Sequence, residues 1–242
     1  MQISAQLQDA EQIMNKSREL TLTNSLSATI SLSITEKNGS IRDRTIAMTS
    51  KSFPEGDEKR FIKFLDPADV RGTAMLIFDN KNSADEMWIY LPALKKTRRI
   101  VSSEKGKSFM SSEFSNADMS SPTLSDFTNK HLGSSGKDNQ WVIESIPVSK
   151  DKSEEYGYSR KLTYFSMDKC QVLKMEFYNF DNQLFKIVEV KSVHSMAGGK
   201  YIIQDMTASN LLTGRKSAIV FSNISENSKI DNSVFTVQNL ER

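Results

Sequence analysis

The sequence predicts a mostly β protein whose core is one large antiparallel sheet, and three observations support this class. Polar and apolar residues alternate without a break from Ser25 to Thr35, which is the pattern of a strand with one buried face. Further apolar runs follow at short spacing and are separated by turn-forming residues, which makes neighbouring strands antiparallel. No succession of strand, helix and strand appears, and this argues against a parallel α/β fold.

The predicted elements follow in order along the chain. Apolar residues at Leu7, Ile13, Met14 and Leu20 are separated by charged residues and predict an N-terminal helix. The alternating strand then ends at an Asn-Gly pair at 38–39, the strongest short hairpin signal. Further candidate strands lie at 41–50, 60–65, 73–78, 86–91, 97–101, 141–147, 159–167, 171–180, 184–195, 201–208 and 215–223. A sheet of about eleven strands tends to curl or close.

Some of these strands are apolar on both faces and therefore need cover on both sides. The run 88–91 is an example. The available cover is the N-terminal helix and a serine-rich segment at 102–140. That segment also carries Phe, Met and Leu residues, so we predict a lid or binding loop rather than a linker. Within it, residues 125–132 are predicted to form one or two helical turns that end at Gly133.

The composition excludes several classes of protein. The net charge is +2, from 32 basic and 30 acidic residues, and gives no sign of a nucleic-acid-binding face. No apolar run approaches the ~18 residues of a membrane-spanning helix. The start of the chain lacks the pattern of a signal peptide, which fits either a cytoplasmic protein or a mature exported one without its leader. Cys170 is the only cysteine, so an internal disulfide and a cysteine-based zinc site are excluded.

The sequence predicts no catalytic residue, metal ligand or cofactor. His131 and His194 are the only histidines, and we interpret them as a helix C-terminal cap and an ordinary strand residue. The chain contains no nucleophile elbow, no Walker loop and no dinucleotide-binding glycine motif. Two features instead favour an apolar cavity: the 11 methionines typical of adaptable binding surfaces, and a large curved sheet that its own side chains do not easily fill.

Three motifs resemble a known family. They are FLDPADVRGT at 64–73, WIYLPALKKTRRI at 88–100, and SEKGKSFM at 103–110 followed by Phe114. Together they resemble the signature of the outer-membrane lipoprotein-sorting family, the LolA-like proteins, in its longer form. Weaker similarity continues through 126–128 and 142–145.

This resemblance implies an unclosed, LolA/LolB-like antiparallel barrel capped by helices, with an apolar cavity for acyl chains. It also implies export to the periplasm, sometimes with a lipid anchor, and work beside RND-type transporters. We expect one lipid-binding domain over 1–242, with residues 102–140 as its lid. One position departs from the family pattern, because Ser111 follows Met110 where the family tends to carry glycine, and this bears on how the lid moves.

We therefore predict a periplasmic carrier that binds lipid or lipoprotein acyl chains and needs no cofactor. The residues predicted to line its cavity are Leu32, Ile34, Met48, Phe64, Met75, Ile77, Trp88, Met110, Phe114, Phe127, Met175 and Phe177. The basic residues Lys95, Lys96, Arg98 and Arg99 form either a solvated hairpin end or a patch that meets anionic headgroups or a partner.

Two alternatives remain from the sequence. One is a lipid acyl-ester hydrolase, with or without a cation, that uses the serines and acids of the lid: Ser111, Ser112, Glu113, Asp118 and Asp126. The other is a periplasmic interaction module without a ligand.

Overall fold

The computed structural model describes residues 9–81, 83–121, 123–135 and 139–242, and its main feature is one 13-stranded antiparallel sheet. The strands are β1 (Ser25–Thr35), β2 (Ile41–Ser52), β3 (Glu58–Asp66), β4 (Ala74–Asp79), β5 (Glu86–Leu91), β6 (Lys96–Ile100), β7 (Phe127–Ser135), β8 (Gln140–Pro147), β9 (Arg160–Ser166), β10 (Val172–Tyr178), β11 (Leu184–Ser195), β12 (Tyr201–Asn210) and β13 (Lys216–Glu226). The helices are α1 (Ala10–Thr21), α2 (Ser102–Lys105) and α3 (Lys150–Tyr156). The mostly β class with few helices is thus confirmed.

The strand order follows the chain except at one point. It runs β6-β5-β4-β3-β2-β1-β13-β12-β11-β10-β9-β8-β7, so the first strand pairs with the last. The strands β6 and β7 are left as the two edges, and the barrel is unclosed, as predicted. Residues 101–121 and 123–126, here called the connecting segment, join these two edges.

The concave face of the sheet holds the main core. Its alternating residues face inward from every strand: Leu32 of β1 pairs with Ile219 of β13, and both are buried. Phe109 and Phe114 of the connecting segment are buried in the same cluster. The connecting segment therefore fills part of the trough that the curved sheet forms.

The helix α1 covers one end of this concave face. Asp9 begins it, because its side chain accepts a hydrogen bond from the backbone N–H of Glu11. Ile13 then packs with Trp141 of β8 and Phe165 of β9. This confirms the predicted N-terminal helix, apart from Leu7, which lies outside the described residues.

The convex face is covered by a part of the chain that the sequence analysis did not use. Phe235 and Leu240, in two short 3-10 turns at Asn232–Phe235 and Val237–Glu241, pack against Leu76 and Trp88. Trp88 pairs with Leu76 in the sheet, whereas neighbouring residues of β4 point into the concave core. The prediction that Trp88 lines the cavity is therefore wrong, because strand β5 is apolar on both faces.

The irregular segment predicted at 102–140 is shorter than expected. Residues 127–135 form the edge strand β7, so the predicted helical turns at 125–132 are wrong, and β7 has no counterpart among the predicted strands. The backbone is held by pairing with β8, where Asn129 lies opposite Ser145 and accepts a hydrogen bond from its hydroxyl at 2.7 Å. A polar edge strand lacks the alternation that identifies inner strands. His131 is consequently a strand residue and not a helix cap, while His194 lies in β11 as predicted.

The start of the connecting segment is fixed by a close approach of two helices. A Cβ atom on Gly106, after α2, would lie 2.8 Å from the Cα of Gly157, after α3, so both positions require glycine. Beside them, Lys105 and Glu155 form a buried ion pair at 2.8 Å. Among the described residues, no helix is long and apolar enough to cross a lipid bilayer.

Candidate functional site

A cavity of about 280 Å³ lies on the concave face, between the end of α1, the sheet and the 3-10 turn Ala117–Met119. We call it the large cavity. Its apolar lining includes Leu26, Ile30, Met48, Met206, Ile219 and Phe221. Its volume is close to the lower end of ligand pockets, roughly 300 Å³, and its mainly apolar wall suits a hydrocarbon chain.

A second cavity of about 130 Å³ adjoins the first, and we call it the lysine cavity. Phe114, Tyr158, Lys161 and Phe177 are among the residues that line it. Asp118 and Met206 line both cavities and separate them. The two cavities therefore share a wall, and Lys161 lies on the side of the lysine cavity.

The residues predicted to line the cavity are, apart from Trp88, all in the concave core or packed against it. Met48 lines the large cavity, while Phe114, Met175 and Phe177 line the lysine cavity. The others pack into filled regions: Leu32, Ile34, Phe64, Met75, Ile77, Met110 and Phe127. Contact of these residues with lipid stays a prediction.

The sequence analysis missed the basic residues of the site. Arg60, Lys161 and Lys186 each lie on the concave face, two residues from a buried residue of the same strand, which is Ile62, Thr163 or Val188 respectively. A charged residue in phase with the inward-facing residues of a strand is a signal that the sequence did contain. Aspartate 118 gave no such signal, because it lies outside the strands.

Arg60 holds the connecting segment over the large cavity from one side. Its guanidinium donates a hydrogen bond to the carbonyl of Met119 and forms an ion pair with Glu58 at 3.0 Å. Asp79 lies 3.9 Å from it and accepts a hydrogen bond from the backbone N–H of Ser121 at 3.2 Å. Burial raises the pKa of Asp79 to about 7, although Arg60 opposes this.

Asp118 holds the same segment from the other side. Its carboxylate accepts a hydrogen bond from Nζ of Lys186 at 2.8 Å and another from the backbone N–H of Ser115 at 2.8 Å. Burial alone would raise the pKa of Asp118, but Lys186 and these hydrogen bonds hold it below its ordinary value. Asp118 is therefore ionised at neutral pH.

A tight turn lies further along the connecting segment. Met110 and Ser111 both have positive φ, 49° and 65°, and the N–H of Ser112 donates to the carbonyl of Phe109 at 2.9 Å. This is the arrangement of a type I′ turn, which favours glycine. Arg215 fixes it by donating to the carbonyl of Ser111 at 2.7 Å.

We expect Ser111→Gly to raise the free energy of unfolding by up to about 1 kcal/mol, since glycine adopts positive φ without the steric cost that serine bears. Urea denaturation of the purified protein measures this. The matched control is Ser120→Gly, where φ is −113° and glycine should be neutral or destabilising. Equal stability of Ser111→Gly and the unaltered protein would contradict the prediction.

The basic residues predicted to meet headgroups lie at the β5–β6 hairpin and are all exposed. Arg98 pairs with Glu104 at 2.7 Å, and Arg99 lies 3.9 Å from Glu86. Lys95 and Lys96 have no carboxylate partner among the described residues and stand next to Leu94, which is 68% exposed. The tip of the hairpin thus combines positive charge with an exposed apolar side chain.

The side chains of Ser112, Glu113, Asp118 and Asp126, four of the residues considered for hydrolysis, are engaged in contacts of the connecting segment. The hydroxyl of Ser112 donates to the carbonyl of Phe109, Glu113 pairs with Arg215 at 2.9 Å, and Asp126 pairs with Lys152 at 2.9 Å. In the part of the chain that the structure describes, no group of three His, Cys, Asp or Glu residues is arranged to hold a metal ion.

Comparison with known proteins gives matches over most of the chain. A family model described as "Uncharacterized protein" matches residues 56–242. A solved domain from Vibrio parahaemolyticus, assigned to outer-membrane lipoprotein sorting, is 26% identical, with a TM-score of 0.87 over 97% of this chain and 100% of that one. A DUF1329 family protein from Desulfovibrio piger is 25% identical, with a TM-score of 0.87 over 96% of this chain and 97% of that one.

A LolA superfamily protein from Nitrosomonas europaea shares the fold at lower identity. It is 17% identical, with a TM-score of 0.72 over 94% of this chain and 97% of that one. No curated protein sequence matches the chain significantly. The chain belongs to the family that the matching model describes, and its fold is that of the solved LolA-like and outer-membrane lipoprotein-sorting domains.

Proposed function

We propose that this protein is a periplasmic carrier that holds the acyl chains of a lipid or lipoprotein in the large cavity. The observation that carries the proposal is the apolar cavity itself, which lies on the concave face and is covered by the connecting segment. Burial of each CH₂ group of a chain in such a cavity contributes about 0.8 kcal/mol. The full chain would act as one lipid-binding domain.

The way in which the cavity is covered supports a carrier. The turn at Ala117–Met119 is held by a few charged contacts, those of Arg60 and of Asp118, on opposite sides. Such contacts can be broken and re-formed without unpairing any strand. In this proposal the connecting segment moves aside when the ligand enters, as a lid would.

The exposed hairpin at Lys95 and Lys96 supplies a second part of the proposal. Lysine near an anionic membrane surface contributes about 1 kcal/mol, and the exposed Leu94 beside these lysines adds apolar contact. In this proposal the hairpin meets headgroups or an acidic surface of a partner. An RND-type transporter as that partner stays a prediction from the family resemblance, which co-purification from membranes would test.

The first experiment is to denature the purified protein and identify the extracted lipid by mass spectrometry, with a fluorescent phospholipid incubated in parallel. Intact lipid in molar amounts comparable with the protein, and no fluorescent product, is the result we expect. Fatty acid or lysolipid that appears with time would instead support hydrolysis. Absence of any lipid, together with no uptake of the fluorescent one, would favour an interaction module without a ligand.

Met206→Trp tests whether the large cavity is the binding site. Because Met206 lines both cavities, an indole at this position should fill the space and lower lipid uptake several-fold, for example by roughly tenfold if about 1.4 kcal/mol of binding is lost. Thr207→Trp is the matched control, since the next residue of β12 points to the other face. Equal uptake by both variants would place the lipid elsewhere.

A further inference from the structure

Lys161 lies inside the protein rather than at its surface. It is on β9, opposite Ser145 of β8 and Phe177 of β10, and only 8% of the residue is exposed. Its Nζ lies 5.6 Å from the ring centroid of Phe127 and 5.9 Å from that of Tyr158, at the wall of the lysine cavity.

The ammonium group of Lys161 has no anionic partner within the part of the chain that the structure describes. Its Nζ makes no hydrogen bond or ion pair there, and the contacts that it does make are cation–π contacts with the two aromatic rings. Burial lowers the pKa of Lys161 to about 8, with Asp118 opposing this change and Lys186 adding to it. The group is therefore still positively charged at neutral pH.

Asp118 is the carboxylate that raises the pKa of Lys161, and it already binds other groups. Asp118 binds Lys186 and the backbone of Ser115, each at 2.8 Å. Lys161 and Lys186 together carry two positive charges against the one negative charge of Asp118. A largely buried site with this excess of positive charge attracts an anion, because charges are screened less there than in water.

We infer that the ammonium group of Lys161 binds the anionic headgroup of a single-chain amphiphile, a carboxylate or a phosphate, whose hydrocarbon chain extends into the large cavity. This rests on the proposed function and specifies its ligand. In this arrangement the headgroup lies in the lysine cavity, and the chain runs past Met206 and Asp118, which line both cavities, into the apolar space beyond. A charge-assisted hydrogen bond from Nζ to an oxyanion is the strong contact in this arrangement.

The test compares anionic and neutral ligands of equal chain length. Dodecanoate, dodecyl phosphate and dodecanol each compete with the neutral fluorophore N-phenyl-1-naphthylamine for the purified protein and for Lys161→Met. Methionine keeps the length of the apolar stem and removes the charge. We expect the affinity for the anions to fall roughly tenfold or more and that for dodecanol to stay unchanged. The anion that binds the unaltered protein more tightly identifies the headgroup.

Lys174→Met is the matched control, because Lys174 is on the neighbouring strand β10, faces the other side of the sheet and pairs with Glu176 at 2.8 Å. It should leave all three affinities unchanged. A thermal melt gives a second measurement: dodecanoate should raise the melting temperature of the unaltered protein but not of Lys161→Met.

Two results would overturn the inference while leaving the carrier function intact. One is unchanged affinity of Lys161→Met for both anions, and the other is an equal loss for dodecanol, which would indicate a structural role only. If none of the three ligands displaces the fluorophore from the unaltered protein, the proposed function fails and this inference fails with it.

Discussion

Phe109→Ala is expected to lower the free energy of unfolding by about 3–5 kcal/mol, the range for removing a buried phenylalanine ring. Phe109 is 1% exposed, and its ring centroid lies 5.8 Å from that of Phe64 at the bottom of the concave core. The void would lie beneath the turn at 109–112, which is pinned by Arg215 and Arg44 and cannot collapse far. Urea denaturation followed by circular dichroism measures the loss.

Phe180→Ala provides the control for this substitution. Phe180 lies in the turn between β10 and β11 and is 62% exposed, so its removal should change stability by less than about 0.5 kcal/mol. If Phe109→Ala lowered the free energy of unfolding by less than about 1 kcal/mol, the packing described for the connecting segment would be contradicted. Removal of a ring that is buried in the core lowers stability by more than that.

Asp118→Asn is expected to lower the free energy of unfolding by about 3 kcal/mol, the low end for a broken buried ion pair. We expect the low end of that range because the pair is not fully buried: 21% of the Asp118 side chain and 7% of the Lys186 side chain are exposed. The substitution removes the carboxylate that offsets the mutual repulsion of the Lys186 and Lys161 ammonium groups. Guanidinium denaturation at pH 7 measures the effect.

Substitution of Asp118 and substitution of Lys186 should not lower the free energy of unfolding by the same amount. Lys186→Met leaves Asp118 with the attraction of Lys161, so its cost should be smaller than that of Asp118→Asn. Glu189→Gln, in the exposed pair of Glu189 and Lys191 at 2.8 Å, is the control and should have almost no effect. Equal losses for Asp118→Asn and Lys186→Met would mean that Lys161 does not act on this carboxylate.

The pH dependence of the same variant follows from the lowered pKa of Asp118. An acid whose pKa is lower in the folded state stabilises the fold at every pH above its unfolded value. That contribution is lost as the pH falls through the folded value. The difference between the unaltered protein and Asp118→Asn should therefore be constant from neutral pH down to about pH 5 and should narrow below about pH 4.

The sequence was sufficient for the sheet and for its concave face in most strands. The alternation of Leu26 to Ile34 identifies the buried face of β1, because only one face of that strand is apolar. The same argument fails at Trp88, since β5 is apolar on both faces and the pattern cannot say which face is concave. The cover of its outer face comes from short 3-10 turns near Phe235, whose spacing has no regular period.

The site was harder to predict, for a physical reason. Asp118 and Lys186 are 68 residues apart, and only the folding of the connecting segment into the sheet brings them together. Edge strand β7 was missed because the half-buried residues that follow Phe127 on its inward face are polar or glycine, so the strand shows no apolar alternation. A charged residue at an inward-facing position of a strand, such as Lys161, is the pattern by which sequence analysis can find a charged site inside a sheet.

The pairing of β1 with β13 leaves the two edges of the sheet at β6 and β7, and this determines how much the interior can expand. A closed barrel has a fixed circumference, because each strand is bonded on both sides, and it can admit a bulkier guest only by breaking a ladder of backbone bonds. Here the gap between the edges is spanned by a covalent tether, the connecting segment, and not by a ladder. In the proposed carrier, a change in the width of this gap would admit guests of different girth to the same scaffold while every strand keeps its neighbours.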